Sequence, residues 1–248
     1  IINSGGITYV PGSFVSYGND GLHYNDSINA PPNLAVGQTI ADAIHYASDH
    51  IPVFANFSFA PSGTQQITIT ALIEGFYNGA TIIRDTITVQ LRTGSAPYTI
   101  VDQTKIYLSI TGTGTGNFSN AINGTPYYLV IKHRNGIETW SAAAQTFSGG
   151  SLTYDFTTAS NKAYGNNLKL VNGKWCIKGG DVNQDGFVNS ADLNFVYSNN
   201  VSGFTGYNTT DLNGDNYTEI ADLTIVFTNY ILGIHKITPA LYRDLLNN

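Results

Sequence analysis

Two sets of oxygen-bearing residues near the end of the chain have the spacing of a cation cage. In the first, Asp181, Asn183 and Asp185 sit two apart, Gly186 follows, and Asn189 and Asp192 take the ninth and twelfth places. A twelve-residue calcium loop needs side-chain oxygens at places 1, 3, 5, 9 and 12, a main-chain carbonyl at 7 and a sharp turn at 6. The stretch meets each demand, with Phe187 supplying the carbonyl. Thirty residues on, Asp211, Asn213, Asp215, Tyr217, Glu219 and Asp222 repeat the frame. Asn216 stands in the turn place, where asparagine tolerates a left-handed backbone. Seven carboxylates in two short loops repel one another unless cations neutralise them, so two calcium ions are the expected cofactors. An Asn/Asp-rich turn without metal is the plain alternative for one copy, and two matched copies weigh against it.

The elements that must position these residues follow the loops and do not precede them. Leu193, Val196 and Tyr197, then Leu223, Val226, Phe227 and Tyr230, recur at the three-and-four spacing of an apolar helical face. Before the loops stand Gly179-Gly180 and the run 202–206, with Gly203 and Gly206, and neither holds an entering helix. An EF-hand-like loop with only a following helix, and with Asp in the twelfth place, resembles the paired repeats of dockerin modules over about 55 residues, 180–234. The resemblance implies a small calcium-binding helical module. It also admits a cohesin-like partner on a scaffold. Cellulosomal dockerins carry a Ser/Thr pair at loop places 10 and 11 and basic residues on the next helix. Here those places hold Ser190-Ala191 and Ile220-Ala221, and no Lys or Arg lies between Lys178 and Lys236.

The rest of the chain reads as β structure. Charged residues are 11% of the 248, while Gly, Asn, Thr and Tyr are abundant. Period-two runs fall at 67–73, 83–91, 105–110, 127–133, 137–140 and 152–156, separated by Asn78-Gly79, Gly94, Asn123-Gly124, Asn135-Gly136 and Gly149-Gly150. Asn-Gly between alternating runs is a strong hairpin signal, and strands so spaced without helices point to an antiparallel Ig-like β-sandwich. Ahead of it lie strand-forming runs at 7–10, 13–17 and 53–59. Between them Thr39 is placed to cap a short helix with Ile40, Ala43, Ile44 and Ala47 inward. The run 127–140, with Tyr164-Gly165-Asn166-Asn167 and Lys174-Trp175-Cys176-Ile177 before Gly179, resembles a β-sandwich that precedes dockerin-type repeats in secreted bacterial proteins. The expected organisation is a β-rich N-terminal segment at 1–60, a sandwich at 61–178, the repeat pair at 179–234 and a tail at 235–248.

The net charge of −6 is local: of 17 acidic residues seven sit in the loops, leaving ten against eleven basic. No basic patch suggests nucleic acid, and no run reaches the length of a membrane span. Cys176 is alone, so no internal disulfide forms. Calcium loops fill readily outside cells, and a chain opening on Ile1 without methionine is expected to be a processed, secreted product.

Catalytic signatures do not emerge. No nucleophile elbow, zinc-protease helix or phosphate loop is present. His23, His45, His50, His133 and His235 are dispersed, and His133 reads as a solvated strand end. Asp85 and Glu74 are weighed as a glycosidase pair and read as solvated. Trp140 and Trp175 are the candidates for a sugar platform, against ordinary core packing. The expectation is a non-enzymatic, calcium-stabilised extracellular protein whose work is assembly. It is read as a subunit of a surface appendage or filament, self-assembling by strand addition from a terminus such as Ile1-Ile2 or 241–246. A cohesin-binding dockerin and a carbohydrate-binding module are the alternatives.

Overall fold

The computed structural model describes residues 7–23, 26–48, 50–59 and 64–239. The protein is mostly β, with several antiparallel sheets and three α-helices among the described residues. It divides into two compact units, residues 1–62 and 63–248. The terminal segments expected to reach a neighbour, Ile1-Ile2 and 241–246, lie outside the described residues.

In the first unit, β1 (Ile7–Tyr9) and β2 (Val15–Ser16) flank Pro11-Gly12. They pair antiparallel with β4 (Phe57–Phe59) and β3 (Val53–Phe54), respectively. The helix α1 (Gln38–Ala47) departs from its expected frame. Gly37 is its N-cap, without a side-chain bond, so Thr39 lies inside the first turn. Ala41 is buried and Ile44 half-buried, while Ile40, Ala43 and Ala47 are exposed. The reason is a close approach. A Cβ on Gly18 would lie 2.9 Å from Ile44 Cδ1, so this glycine leaves room for Ile44 on the helix's inner side.

The second unit holds the sandwich. Its strands are β5 (Gln65–Thr70), β6 (Thr86–Thr93), β7 (Ile100–Tyr107), β8 (Thr113–Phe118), β9 (Pro126–Lys132), β10 (Thr139–Trp140), β11 (Gln145–Thr146) and β12 (Ser151–Asp155). One sheet runs β10-β9-β6-β7, with β11 also on β9, and the other runs β12-β5-β8. Alternation sends Ile67 and Ile69 of one sheet, and Ile87, Val89, Leu91, Ile106, Leu129 and Ile131 of the other, into one dry core. Each such side chain contributes about 1.5–3 kcal/mol on burial.

Three details differ from the sequence reading. First, β12 joins β5 in parallel, Ser151 opposite Gln66 through Asp155 opposite Thr70. Alternation records which face is buried but not the direction of a neighbour 85 residues away, so an all-antiparallel sandwich was too simple. Second, β8 carries Gly114 and Gly116, residues depleted in strands, and no strand is expected there. Glycine is needed because a Cβ on Gly116 would sit 2.7 Å from Thr104 Cγ2 of β7. Third, the two-residue Asn-Gly hairpin is Asn172-Gly173, at φ 46° and 80°, between β13 (Lys169–Val171) and β14 (Lys174–Cys176). Asn123-Gly124 instead connects β8 to β9 of the opposite sheet.

Within the same unit, α2 (Ser190–Val201) and α3 (Ile220–Ile231) pack on a second core of Val182, Val188, Val196, Leu212 and Val226. Ile137, from the β9–β10 connection, is part of it. Cys176 is fully buried in the first core, and burial pushes its thiol up to about 12.

Candidate metal centres

Each acidic loop is a chain of short Asx turns ending in a helix. Asn183 Oδ1 accepts from Asp185 N (2.9 Å) and Asp185 Oδ1 from Phe187 N (2.8 Å). Asn213 and Asp215 do the same with Asp215 N and Tyr217 N, both at 2.9 Å. The turn residues Gly186 and Asn216 have φ of 92° and 71°, the left-handed backbone their place demands. The fourth places, Gln184 and Gly214, also have positive φ, which the ligand spacing did not show. Asn189 and Glu219 are the N-caps of α2 and α3. Asp192 and Asp222 reach back to them, accepting from Asn189 N at 3.0 Å and Glu219 N at 2.8 Å. Their other oxygens accept from Val182 N (2.9 Å) and Leu212 N (2.6 Å). The first and twelfth places of each loop are thereby drawn together.

The two repeats close on each other with a constant offset of thirty. Val188 N donates to Ile234 O (2.8 Å) as Thr218 N does to Phe204 O (3.0 Å). Lys236 N donates to Gly186 O (2.8 Å) as Gly206 N does to Asn216 O (2.7 Å). The loops therefore pair not with each other but with the strand that leaves the other repeat's helix: Phe187 opposite His235, Tyr217 opposite Thr205. Both helices end on a left-handed glycine, Gly203 and Gly233. The pairing runs through Lys236, two residues past the boundary drawn from the sequence at 234.

The sandwich reaches both loops through one turn, residues 133–136. Asn135 O accepts from Gly180 N (2.8 Å) and Gly136 O from Gln184 Nε2 (3.2 Å), at the first loop. Asn135 Nδ2 donates to Asp211 O (2.7 Å) and Arg134 Nη2 to Asp211 Oδ2 (3.3 Å), at the second. Arg134 is held in turn by Asp85, whose Oδ2 accepts from its Nε (2.9 Å) and lies 3.1 Å from His133 Nε2. Tyr207 Oη donates to Asp85 Oδ1 at 2.8 Å, and its ring lies 4.4 Å under the guanidinium. Burial pushes the Asp85 carboxyl up, but His133 and Arg134 outweigh it and hold the group well below the usual carboxylate range. Burial lowers the pKa of His133, so a neutral ring donates its Nε2 proton.

These positions correct several expectations. His133 is 2% exposed, not a solvated strand end. Asp85 and Glu74 are both buried, and each belongs to its own network. Glu74 pairs with Lys169 and accepts from Gly179 N (3.0 Å) and Asn229 Nδ2 (2.7 Å), tying β13 to α3. Both carboxylates are thus consumed by structural partners, which leaves no glycosidase pair. Trp140 is 3% exposed, with Nε1 on Glu138 at 2.8 Å and Arg92 5.1 Å over its ring, so it offers no sugar platform. Trp175 is half-buried against the first core. The missed signal was a cation and an amide at one turn, Arg134 and Asn135, whose carboxylate partner Asp85 comes alongside only when β6 pairs with β9.

Three observations test whether the loops suit a cation. Asp181 is buried, and its Oδ1 has no hydrogen-bond partner, although a buried anionic oxygen left unmatched is costly. Burial first, then Asp192 and Asp185, push its carboxyl up to about 7, a shift that a nearby positive charge would reverse. No hydrogen bond among the described residues reaches the carbonyls of Phe187 or Tyr217, which leaves both free to ligate. Among the described residues no three Asp, Glu, His or Cys side chains are gathered closely enough to hold a metal by themselves, so a cation would need Asn amides and main-chain carbonyls as well, which calcium accepts. Asn183 and Asn213 turn Nδ2 toward Asp185 and Asp215, at 3.0 and 2.9 Å, and an entering ion displaces that contact. Asn189 Oδ1 already accepts from Ala191 N at 2.7 Å, so at the ninth place it would reach an ion with its remaining lone pair or through a water. The residues fit.

No family model matches the chain, and no curated protein matches it. Among solved structures it is similar to a C-terminal interface mutant of a type II cohesin–X-dockerin complex from Acetivibrio cellulolyticus. That match has 13% identity and a TM-score of 0.43, over 71% of this chain and 99% of that one. An N-terminal interface mutant of the same type of complex from that organism is similar at 14% identity and TM-score 0.38, over 71% and 97%. Likeness this slight says nothing of ligand or partner.

Proposed function

We propose that this is a non-enzymatic extracellular assembly protein whose C-terminal pair of dockerin-like repeats binds two calcium ions. Asp181, Asn183, Asp185, Phe187, Asn189 and Asp192 hold one ion, and Asp211, Asn213, Asp215, Tyr217, Glu219 and Asp222 the other. The observation that carries this reading is the buried, unmatched Asp181 Oδ1 facing like charge at the heart of a twofold loop frame. Bound calcium neutralises the carboxylates and braces α2 against α3, so that binding and folding of the repeats are coupled. Among the described residues no helix is long and apolar enough to cross a membrane.

Assembly is supported by the outer surface of the repeats. Leu193, Ile220, Leu223, Thr224 and Phe227 line a shallow apolar groove of about 280 Å³. Phe195, Ile220, Phe227 and Ile231 are each about half exposed or more. Exposed apolar residues grouped in this way mark protein contacts. A subunit of a surface filament is the favoured form, and a dockerin docking on a cohesin-like partner is the second reading, favoured by that same groove. Calorimetric titration of chelated protein with calcium tests the first half: two ions per chain are expected, and none bound at millimolar calcium defeats it. Negative-stain images with and without calcium test the second, since monodisperse single particles under both conditions exclude a filament.

A further inference from the structure

A cleft of about 540 Å³ lies in the second unit on the outward face of the β7-β6-β9 sheet, away from the apolar groove. In a chain of net charge −6, three cations line it (Lys105, Lys132 and Arg134) and no carboxylate does. Register places two of them deliberately. Thr88 of β6 is opposite Lys105 on one side and Lys132 on the other, so the lysines flank it in a single rung. With strands spaced by about 4.8 Å, their Cα atoms stand roughly 10 Å apart. The next rung sets Gln90 opposite Gln103, joined Nε2 to Oε1 at 3.2 Å, and Thr86 lies two residues the other way. Lys105 has no side-chain hydrogen bond or ion pair among the described residues, and Lys132 has only a 3.5 Å contact with Glu138. Arg134 is nine-tenths buried, yet its Nη1 is unmatched.

We propose that this cleft binds an anionic sugar unit, carboxylated or sulfated, held between Lys105 and Lys132 over Thr88. The charge of the ligand follows from Lys105 and Lys132, the second only loosely held by Glu138; Arg134 is already matched by Asp85 and Asp211 and adds only its free Nη1. Its polyhydroxylated nature follows from the floor, where the threonine hydroxyls and glutamine amides of β6 and β7 stand side by side, with the Tyr207 ring at one wall as a face on which a sugar can lie. Over Thr88 an extended peptide has no free strand edge, because β6 is hydrogen-bonded on both sides by β7 and β9; only the outer edge of β7, the last strand of the sheet, is open to one. A volume of this size suits one or two sugar rings. The site goes beyond the calcium-dependent assembly reading; because Gln184 of the first acidic loop also lines the cleft, calcium is held fixed in its test.

Calorimetric titration of the full chain, at fixed calcium and low salt, tests this with four probes: an oligouronate, a sulfated oligosaccharide, a neutral hexose oligomer and polyglutamate. One of the two anionic oligosaccharides is expected to bind at least tenfold more tightly than the neutral oligomer, and which one identifies the acidic group. The double substitution K105Q/K132Q is expected to weaken that binding at least tenfold while calcium affinity and melting temperature stay the same. Thr88→Val, which leaves every charge in place, is expected to weaken it several-fold, a loss that diffuse attraction does not produce. The proposal is overturned if neither anionic oligosaccharide binds at millimolar concentration, if the double variant binds as well as the parent, or if polyglutamate binds more tightly than both.

Discussion

The two acidic loops have the same frame and different surroundings. Asp181 and Asp211 hold equivalent places, thirty residues apart. Asp211 is gripped on both oxygens, by Gly214 N (2.7 Å), Asp215 N and Asn216 N, and then by Arg134. Asp181 keeps Oδ2 on Gly186 N at 3.2 Å and has an unmatched Oδ1. The carbonyl of Asp211 is held from the sandwich by Asn135, whereas that of Asp181 is held by Gln184 of its own loop (2.6 Å). Both loops are tied to the sandwich, but only in the second does the tie reach the carboxylate at the first place. Identical ligand spacing therefore does not imply identical dependence on metal.

Removing calcium puts the difference under the greatest load. At a thousandfold excess over Kd each ion contributes about 4 kcal/mol, so chelation should lower the melting temperature by on the order of 10 °C or more. Hydrogen exchange should then rise further in 181–192 than in 211–222, and equal loosening of both would erase the distinction. Arg134→Ala should cut the mooring. It strands two buried carboxylates, Asp85 and Asp211, and a loss of about 3–5 kcal/mol is expected in chelator. With calcium the loss should be smaller, because the ion neutralises Asp211; denaturant curves in both buffers measure the gap.

Acid should attack the same mooring. The lowered pKa of His133 means that the folded state binds fewer protons than the unfolded one below pH 6.5. Its share of stability is therefore complete above 6.5 and declines as pH falls through that value. Asp85, depressed in the fold, adds a second decline below its ordinary 3.8. In saturating calcium, which keeps Asp181 from titrating near 7 with the opposite sign, His133→Gln should flatten the first step of a stability–pH profile and leave the second. Asp181→Asn should act with opposite signs in the two buffers. In chelator it removes a buried anion from Asp185 and Asp192 and should stabilise by on the order of 1 kcal/mol. With calcium it removes a ligand, and titration should find one strong site instead of two. The smallest contrast is at the turn. Gly186→Ala, at φ 92°, should cost about 1–2 kcal/mol, while Asn216→Gly should change stability by less than about 0.5 kcal/mol.

Legibility followed range. The ligand frame, the turn places and the helices after them are local, and twelve consecutive residues carry them. The buried faces of β5, β6 and β9 were legible from alternation for the same reason. What could not be read depended on partners distant in sequence. Arg134 looks like a solvated cation until Asp85 and Asp211, 49 and 77 residues away, converge on it. Gly114 and Gly116 look like loop residues until β7 lies against them. The parallel seam of β5 and β12 has no local signature. Asn172-Gly173 is the exception, a two-residue hairpin signal in plain view that the sequence reading passed over.

The crossed ladder has a consequence for how such a pair can be cut or joined. Because His235 and Lys236 finish the first loop, and Thr205 and Gly206 the second, neither half is a self-sufficient module. A chain trimmed after Gly233 would keep all twelve proposed ligands and still leave its first ion cage open on one side, while an intact second cage stood beside it.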